Sequence, residues 1–138
     1  MSEALAQYEL AEQLQSEGPV AYFNKAVGLA NEGHSIEAIK LFQAAVYMNP
    51  SFWQARYLLG IELTRGNHLQ EAEAQFSEVV RLRPDLAKAH LNLGVALAKQ
   101  RKLNEALAEF KTAQKLNPTN ELARKNIEQI EALNRLAR

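Results

Sequence analysis

The chain has no cysteine, which excludes disulfides and thiolate metal sites and leaves the redox compartment unread. Its six glycines, at positions 18, 28, 33, 60, 66 and 94, are too scattered to form a phosphate-cradling loop. No apolar run approaches the ~20 residues of a membrane span. The opening residues, MSEALAQYELAEQ, are acidic and amphipathic, without the basic start and apolar centre of a secretory signal. A cytoplasmic location is therefore expected, for the chain itself or for a larger protein that carries it as a soluble module. Histidine occurs only at 34, 68 and 90, with no His-x-x-x-His or His-Glu-x-x-His spacing, and the serines at 2, 16, 35, 51 and 77 have no base motif beside them. Neither a metal site, a cofactor nor catalysis is expected.

The chain also lacks net charge, which disfavours nonspecific nucleic-acid binding because that needs a basic face making several phosphate contacts. The zero hides an asymmetry. Residues 1–80 hold four Lys or Arg against ten Asp or Glu, whereas residues 81–138 hold twelve against six. Head-to-tail attraction between copies, sensitive to salt, is expected from complementary halves of this kind.

What the chain does contain is one pattern repeated at an offset of 34 residues. Pro50, Pro84 and Pro118 fall in register, as do Phe42, Phe76 and Phe110, Ala38, Ala72 and Ala106, and Leu29, Leu63 and Leu97. Ala21, Ala55, Ala89 and Ala123 also keep step. Self-similarity at this period marks a helix-turn-helix solenoid, in which each unit buries its apolar face only against its neighbours. The units run over residues 19–52, 53–86 and 87–120. Residues 1–17 read as half a unit, with Ala4, Tyr8 and Ala11 under Ala38, Phe42 and Ala45, and so as an N-terminal packing helix. Residues 121–138 read as a terminal helix that caps the last unit, with Leu122, Ile127, Ile130, Leu133 and Leu136 on its covered side.

Punctuation is equally regular. Gly18 and Pro19 separate the leading helix from the first unit. Asn49, Arg83 and Asn117 each precede a proline, which disfavours helical angles and ends a helix there. Ser51, Asp85 and Thr119 are the expected N-caps of the helices that follow. Turns are expected at residues 32–35, 66–68 and 100–102. Gly60 and Gly94, at equivalent places in helix interiors where Gly costs about 1 kcal/mol, imply close approach of a neighbouring helix. Glu37, Glu71 and Glu105 recur at the starts of second helices, where the helix dipole favours a negative charge.

The small and large spacing of Leu93, Gly94, Leu97, Ala106, Phe110, Ala113 and Pro118 resembles the tetratricopeptide repeat. The resemblance covers nearly the whole chain and implies an all-α fold, a right-handed superhelix of antiparallel helix pairs with three full repeats. It implies further that the first helix of each pair lines a concave groove for a partner's peptide or helix. Departures are Lys25, where the repeat usually has Leu, and Arg56 and His90, where it often has an aromatic. On this frame the groove is lined by Phe23, Val27 and Asn31, by Tyr57, Ile61 and Arg65, and by Leu91, Val95 and Lys99, flanked by Val20, Gln54 and Lys88. The carboxylate clamp with which some members hold acidic chaperone tails is mostly missing, since Phe23, Val27 and Leu58 occupy its places and only Lys88 and Asn92 match.

Two functional readings follow. The first is a non-catalytic protein-interaction module or scaffold that grips an apolar or amphipathic segment, with acidic flanks drawn to Arg65 and Lys99. The alternative is a helical-repeat RNA binder of the pentatricopeptide kind, disfavoured by the 34-residue period, the zero net charge and an apolar inner face.

Overall fold

The computed structural model describes residues 17–138, which form seven α-helices and, among the described residues, no strand. These are α1 (Gly18–Asn31), α2 (Ser35–Met48), α3 (Trp53–Arg65), α4 (Leu69–Leu82), α5 (Ala87–Lys99), α6 (Leu103–Leu116) and α7 (Glu121–Leu136). The expected packing helix of residues 1–17 lies almost wholly outside the described residues. Each helix packs on the next in sequence, and α3 and α5, first helices of successive pairs, also touch directly. The product is an all-α helical-repeat solenoid.

Its core is one column of phenylalanines. Phe42, Phe76 and Phe110 on α2, α4 and α6 are almost fully buried, with Ala38, Ala72 and Ala106 one turn before them. Burying a ring of this size contributes about 1.5–3 kcal/mol through apolar area removed from water. Close approach comes from the facing helices. A methyl built on Gly60 would meet the Phe76 ring at 2.6 Å, and one on Gly94 would meet the Phe110 ring at 2.6 Å. Both glycines are therefore required by packing rather than by backbone angle.

The loops inside each pair obey one rule. The N–H groups of His34, His68 and Lys102 donate to the carbonyls of Leu29, Leu63 and Leu97 at 2.8, 2.8 and 3.0 Å, each closing a six-to-one bond over a residue in the left-handed region. Those residues are Gly33, Asn67 and Arg101, at φ of 85°, 63° and 65°. Only the first is glycine. Because a side chain in this conformation costs on the order of 1–2 kcal/mol, Arg101→Gly is expected to stabilise the protein by roughly 0.5–1 kcal/mol, net of glycine's greater entropy loss. A thermal midpoint that fell on this substitution would contradict that account of the turn.

Between pairs the stops are where the prolines place them, with Asn49, Arg83 and Asn117 ending the helices at φ of −137°, −136° and −139°. The starts differ from expectation. Ser51, Asp85 and Thr119 are not the N-caps; Phe52, Leu86 and Asn120 are. Each proline occupies the second place of a four-residue turn, closed by N–H bonds from Phe52, Leu86 and Asn120 to the carbonyls of Asn49, Arg83 and Asn117 at 3.0, 3.2 and 3.1 Å. The turn uses up the residue after the proline. Only Asn120 then caps with its side chain, accepting from the Ala123 N–H at 3.1 Å.

Candidate functional site

The residues expected to line a groove fall on the first helices in columns one repeat apart. Phe23, Tyr57 and Leu91 form one column, and Val27, Ile61 and Val95 the next; all six are half-buried and lean on the core. Asn31, Arg65 and Lys99 form an exposed edge, and Val20, Gln54 and Lys88 the opposite exposed edge. The structure thus places these twelve residues, and Asn92 with them, on one face of α1, α3 and α5.

Their rings are not free of packing duty. Phe23 meets Phe42 edge-on at 6.0 Å and Phe52 at 5.1 Å, and Tyr57 meets Phe76 edge-on at 6.0 Å. Packing within the fold thus requires large side chains at Phe23 and Tyr57, whatever the groove holds. One side of each ring seals the core, and the other side faces out. In the first unit Phe23 also explains Lys25, which stays at the surface and pairs with Glu17 at 2.6 Å while the Phe23 ring supplies apolar bulk beside it.

Around Tyr57 the polar groups are organised. The Asn92 side-chain amide donates to the Tyr57 hydroxyl at 2.9 Å and to the Lys88 carbonyl at 2.8 Å. The Lys88 ammonium lies over the Tyr57 ring at 4.8 Å and near the Trp53 ring at 5.8 Å, which the Arg83 guanidinium also approaches at 5.0 Å. A cation over an aromatic face is held by about 0.5–1 kcal/mol at an exposed site. Burial pushes the Tyr57 phenol above its ordinary pKa, partly opposed by the bond from Asn92. Lys88 and Asn92, the only two residues matching a carboxylate clamp, are thus committed to Tyr57. Arg65 is committed as well. It holds the buried carboxylate of Glu62 at 3.0 Å, and that carboxylate also accepts from the Ser35 hydroxyl at 2.7 Å. Glu62 gave no sign in the sequence, because Ala96, its counterpart one repeat on, is apolar.

Arg56 and His90 repeat one device. Arg56 Nε donates to the Pro50 carbonyl at 2.8 Å and Arg56 Nη1 to Gln75 at 3.0 Å. His90 Nε2 meets the Pro84 carbonyl at 2.8 Å and its Nδ1 meets Glu109 at 2.7 Å. A polar strut from the proline turn to the second helix thus stands where an aromatic would otherwise fill space. Tyr22 holds the equivalent place in the first unit, and its buried hydroxyl has no partner among the described residues. No cluster of three or more His, Asp or Glu side chains able to hold a metal occurs among the described residues, and none of their helices is long and apolar enough to cross a membrane.

An all-α stack of antiparallel helix pairs with apolar columns on its first helices defines a helical-repeat protein. Residues 59–121 match the tetratricopeptide repeat family, so that stretch of the chain resembles tetratricopeptide repeats in sequence. Solved structures agree in fold. The first tetratricopeptide domain of Spaghetti (RPAP3), bound to the HSP90 peptide SRMEEVD, is 22% identical with a TM-score of 0.81, over 90% of this chain and 97% of that one. The RS-1 MamA double mutant is 21% identical with a TM-score of 0.83, over 93% and 71%. The Yersinia enterocolitica type III secretion chaperone SycD, in complex with a peptide of the translocator YopD, is 16% identical with a TM-score of 0.77, over 83% and 92%. No curated protein matches the chain significantly in sequence.

Proposed function

We propose that the chain is a non-catalytic protein-interaction module whose groove, lined by Phe23, Tyr57, Leu91, Val27, Ile61 and Val95, takes an apolar or amphipathic segment of a partner protein. The observation that carries this reading is that six large apolar side chains stand half-exposed in two continuous columns on one face. Apolar surface of this continuity is usually covered by something. Support by analogy comes from two similar folds that hold peptides, of HSP90 in one case and of YopD in the other. The ligand differs in kind from an acidic C-terminal tail, because Phe23, Val27 and Leu58 replace the clamp and Lys88 and Asn92 already serve Tyr57.

The test is capture from lysate on the immobilised chain, with a gel shift on mixed RNA at low salt in parallel. Recovery of a protein whose binding segment carries one apolar stripe supports the proposal. An RNA shift without a protein partner would transfer the reading to the pentatricopeptide kind. Self-association is tested by light scattering. Because exposed charges are screened over about 8 Å at physiological salt, association between the acidic and basic halves is expected at low ionic strength and should be gone by about 0.5 M salt. Scattering indifferent to salt would remove the electrostatic cause.

A further inference from the structure

The last helix departs from its expected role. Leu122 and Leu133, assigned to the covered side of a cap, are 52% and 46% exposed, while Ala123, Ile127 and Ile130 make the buried stripe. Their register explains the exposure. Leu122 lies 34 residues after Lys88, and Leu133 lies 34 after Lys99, so each continues one exposed edge of the groove. Lys125 and Gln129 stand in the same way after Leu91 and Val95. At the other end Val20, 60% exposed, begins the column that Leu122 ends. The opposite face of α7 is charged, with exposed Arg124 bonded to Glu121 and Glu128, and half-buried Glu131 paired with Lys111 of α6 at 3.5 Å.

We infer that the groove runs onto α7 as a fourth rung made of Leu122, Lys125, Gln129 and Leu133, and that its occupant is an amphipathic helix of a partner protein, acidic where it crosses α5 and α7. The inference rests on the groove reading above. An extended peptide would bring a row of backbone N–H and C=O groups to a floor whose half-buried centre is mostly apolar, with Tyr57 and Asn92 the polar residues there and already bonded to each other. A helix satisfies its own backbone. Four rungs at about 9 Å per packed helix give a floor of about 27 Å, which a helix rising 1.5 Å per residue crosses in roughly 18 residues. Charge along the floor is uneven. The rung on α1 is Val20, Phe23, Val27 and Asn31, without charge, whereas the rungs on α5 and α7 carry Lys99 and Lys125, besides the Lys88 held over Tyr57, and no acid. Glutamate or aspartate beside the apolar stripe of the occupant matches that end and steers it.

The experiment uses the full chain and two synthetic 18-residue amphipathic helices with the same leucine stripe, one carrying glutamates along half its length and the other lysines in their places. Affinity is read by fluorescence anisotropy. The glutamate helix should bind roughly tenfold or more tighter than the lysine helix, an advantage that shrinks with salt. Replacing both exposed leucines, Leu122→Ser with Leu133→Ser, should weaken it roughly fivefold or more through lost apolar burial, with circular dichroism unchanged. If Tyr57→Ala abolishes binding and the double leucine variant does not weaken it, the groove stands and its extension onto α7 falls. If neither helix binds, or Tyr57→Ala has no effect, the groove reading falls and the extension with it. Equal binding of the two helices would overturn the acidic character assigned to the partner.

Discussion

Gly94→Leu should lower stability by about 1–3 kcal/mol, the usual cost of forcing a large side chain into a filled core, and Phe110→Ala should lower it by about 3–5 kcal/mol, the cost of removing a buried ring. Combined, the two should cost less than their sum. The reason is geometric: a methyl on Gly94 would already meet the Phe110 ring at 2.6 Å, so leucine on α5 and phenylalanine on α6 compete for one volume. Removing the ring frees the space that the leucine needs. Contacting residues of this kind couple by about 0.5–3 kcal/mol in a double-mutant cycle. Strict additivity of the two changes in urea midpoints would mean that Gly94 is not held by Phe110, and the repeat-to-repeat packing described here would need another basis. The same cycle at Gly60 and Phe76, where the clearance is also 2.6 Å, should give the same sign.

The second large effect is on binding. Tyr57 occupies the middle rung, half-buried, with its ring edge-on to Phe76 and its hydroxyl bonded to Asn92. An aromatic anchor at the centre of an interface is the kind of residue whose truncation costs 2 kcal/mol or more, and Tyr57→Ala is expected to weaken a captured partner by about that amount. Some folding stability should also be lost, because part of the ring seals the core. Tyr57→Phe separates the two contributions. It keeps the packing and removes the hydroxyl, so it should retain most of the affinity and lose about 0.5–1.5 kcal/mol of stability with the Asn92 bond. Isothermal titration beside thermal melts distinguishes these outcomes. A Tyr57→Ala protein that folds and binds at parental affinity would place the site elsewhere.

Much of the fold was legible because the sequence writes it three times. A single glycine in a helix is ambiguous, but Gly60 and Gly94 at the same place, each 16 residues before a phenylalanine, identify a close contact before any coordinates. The proline stops were legible for the same reason. The helix starts were not, since Ser51, Asp85 and Thr119 are good cap residues whose position is overridden by the proline turn that consumes them. Left-handed residues at Asn67 and Arg101 were hidden because neither is glycine and Gly66 stands next to the first, inviting the wrong assignment. In the groove, the columns were readable from register alone. The commitments of its polar residues were not, because the bonds of Asn92 to Tyr57 and of Ser35 to Glu62 join residues 35 and 27 positions apart. Leu122 and Leu133 were misassigned because helical periodicity places them beside the buried stripe of α7, and only register with the earlier rungs reveals where they face.

The most direct measurement is amide and methyl chemical-shift mapping of the full chain on titration with a captured partner segment. The groove assignment predicts that the largest changes gather on Phe23, Val27, Tyr57, Ile61, Leu91 and Val95. It also predicts that Lys40, Gln43, Ala74, Ser77 and Lys111, exposed on the second helices, stay where they are. Changes concentrated on α2, α4 and α6 with the first-helix columns unmoved would contradict it.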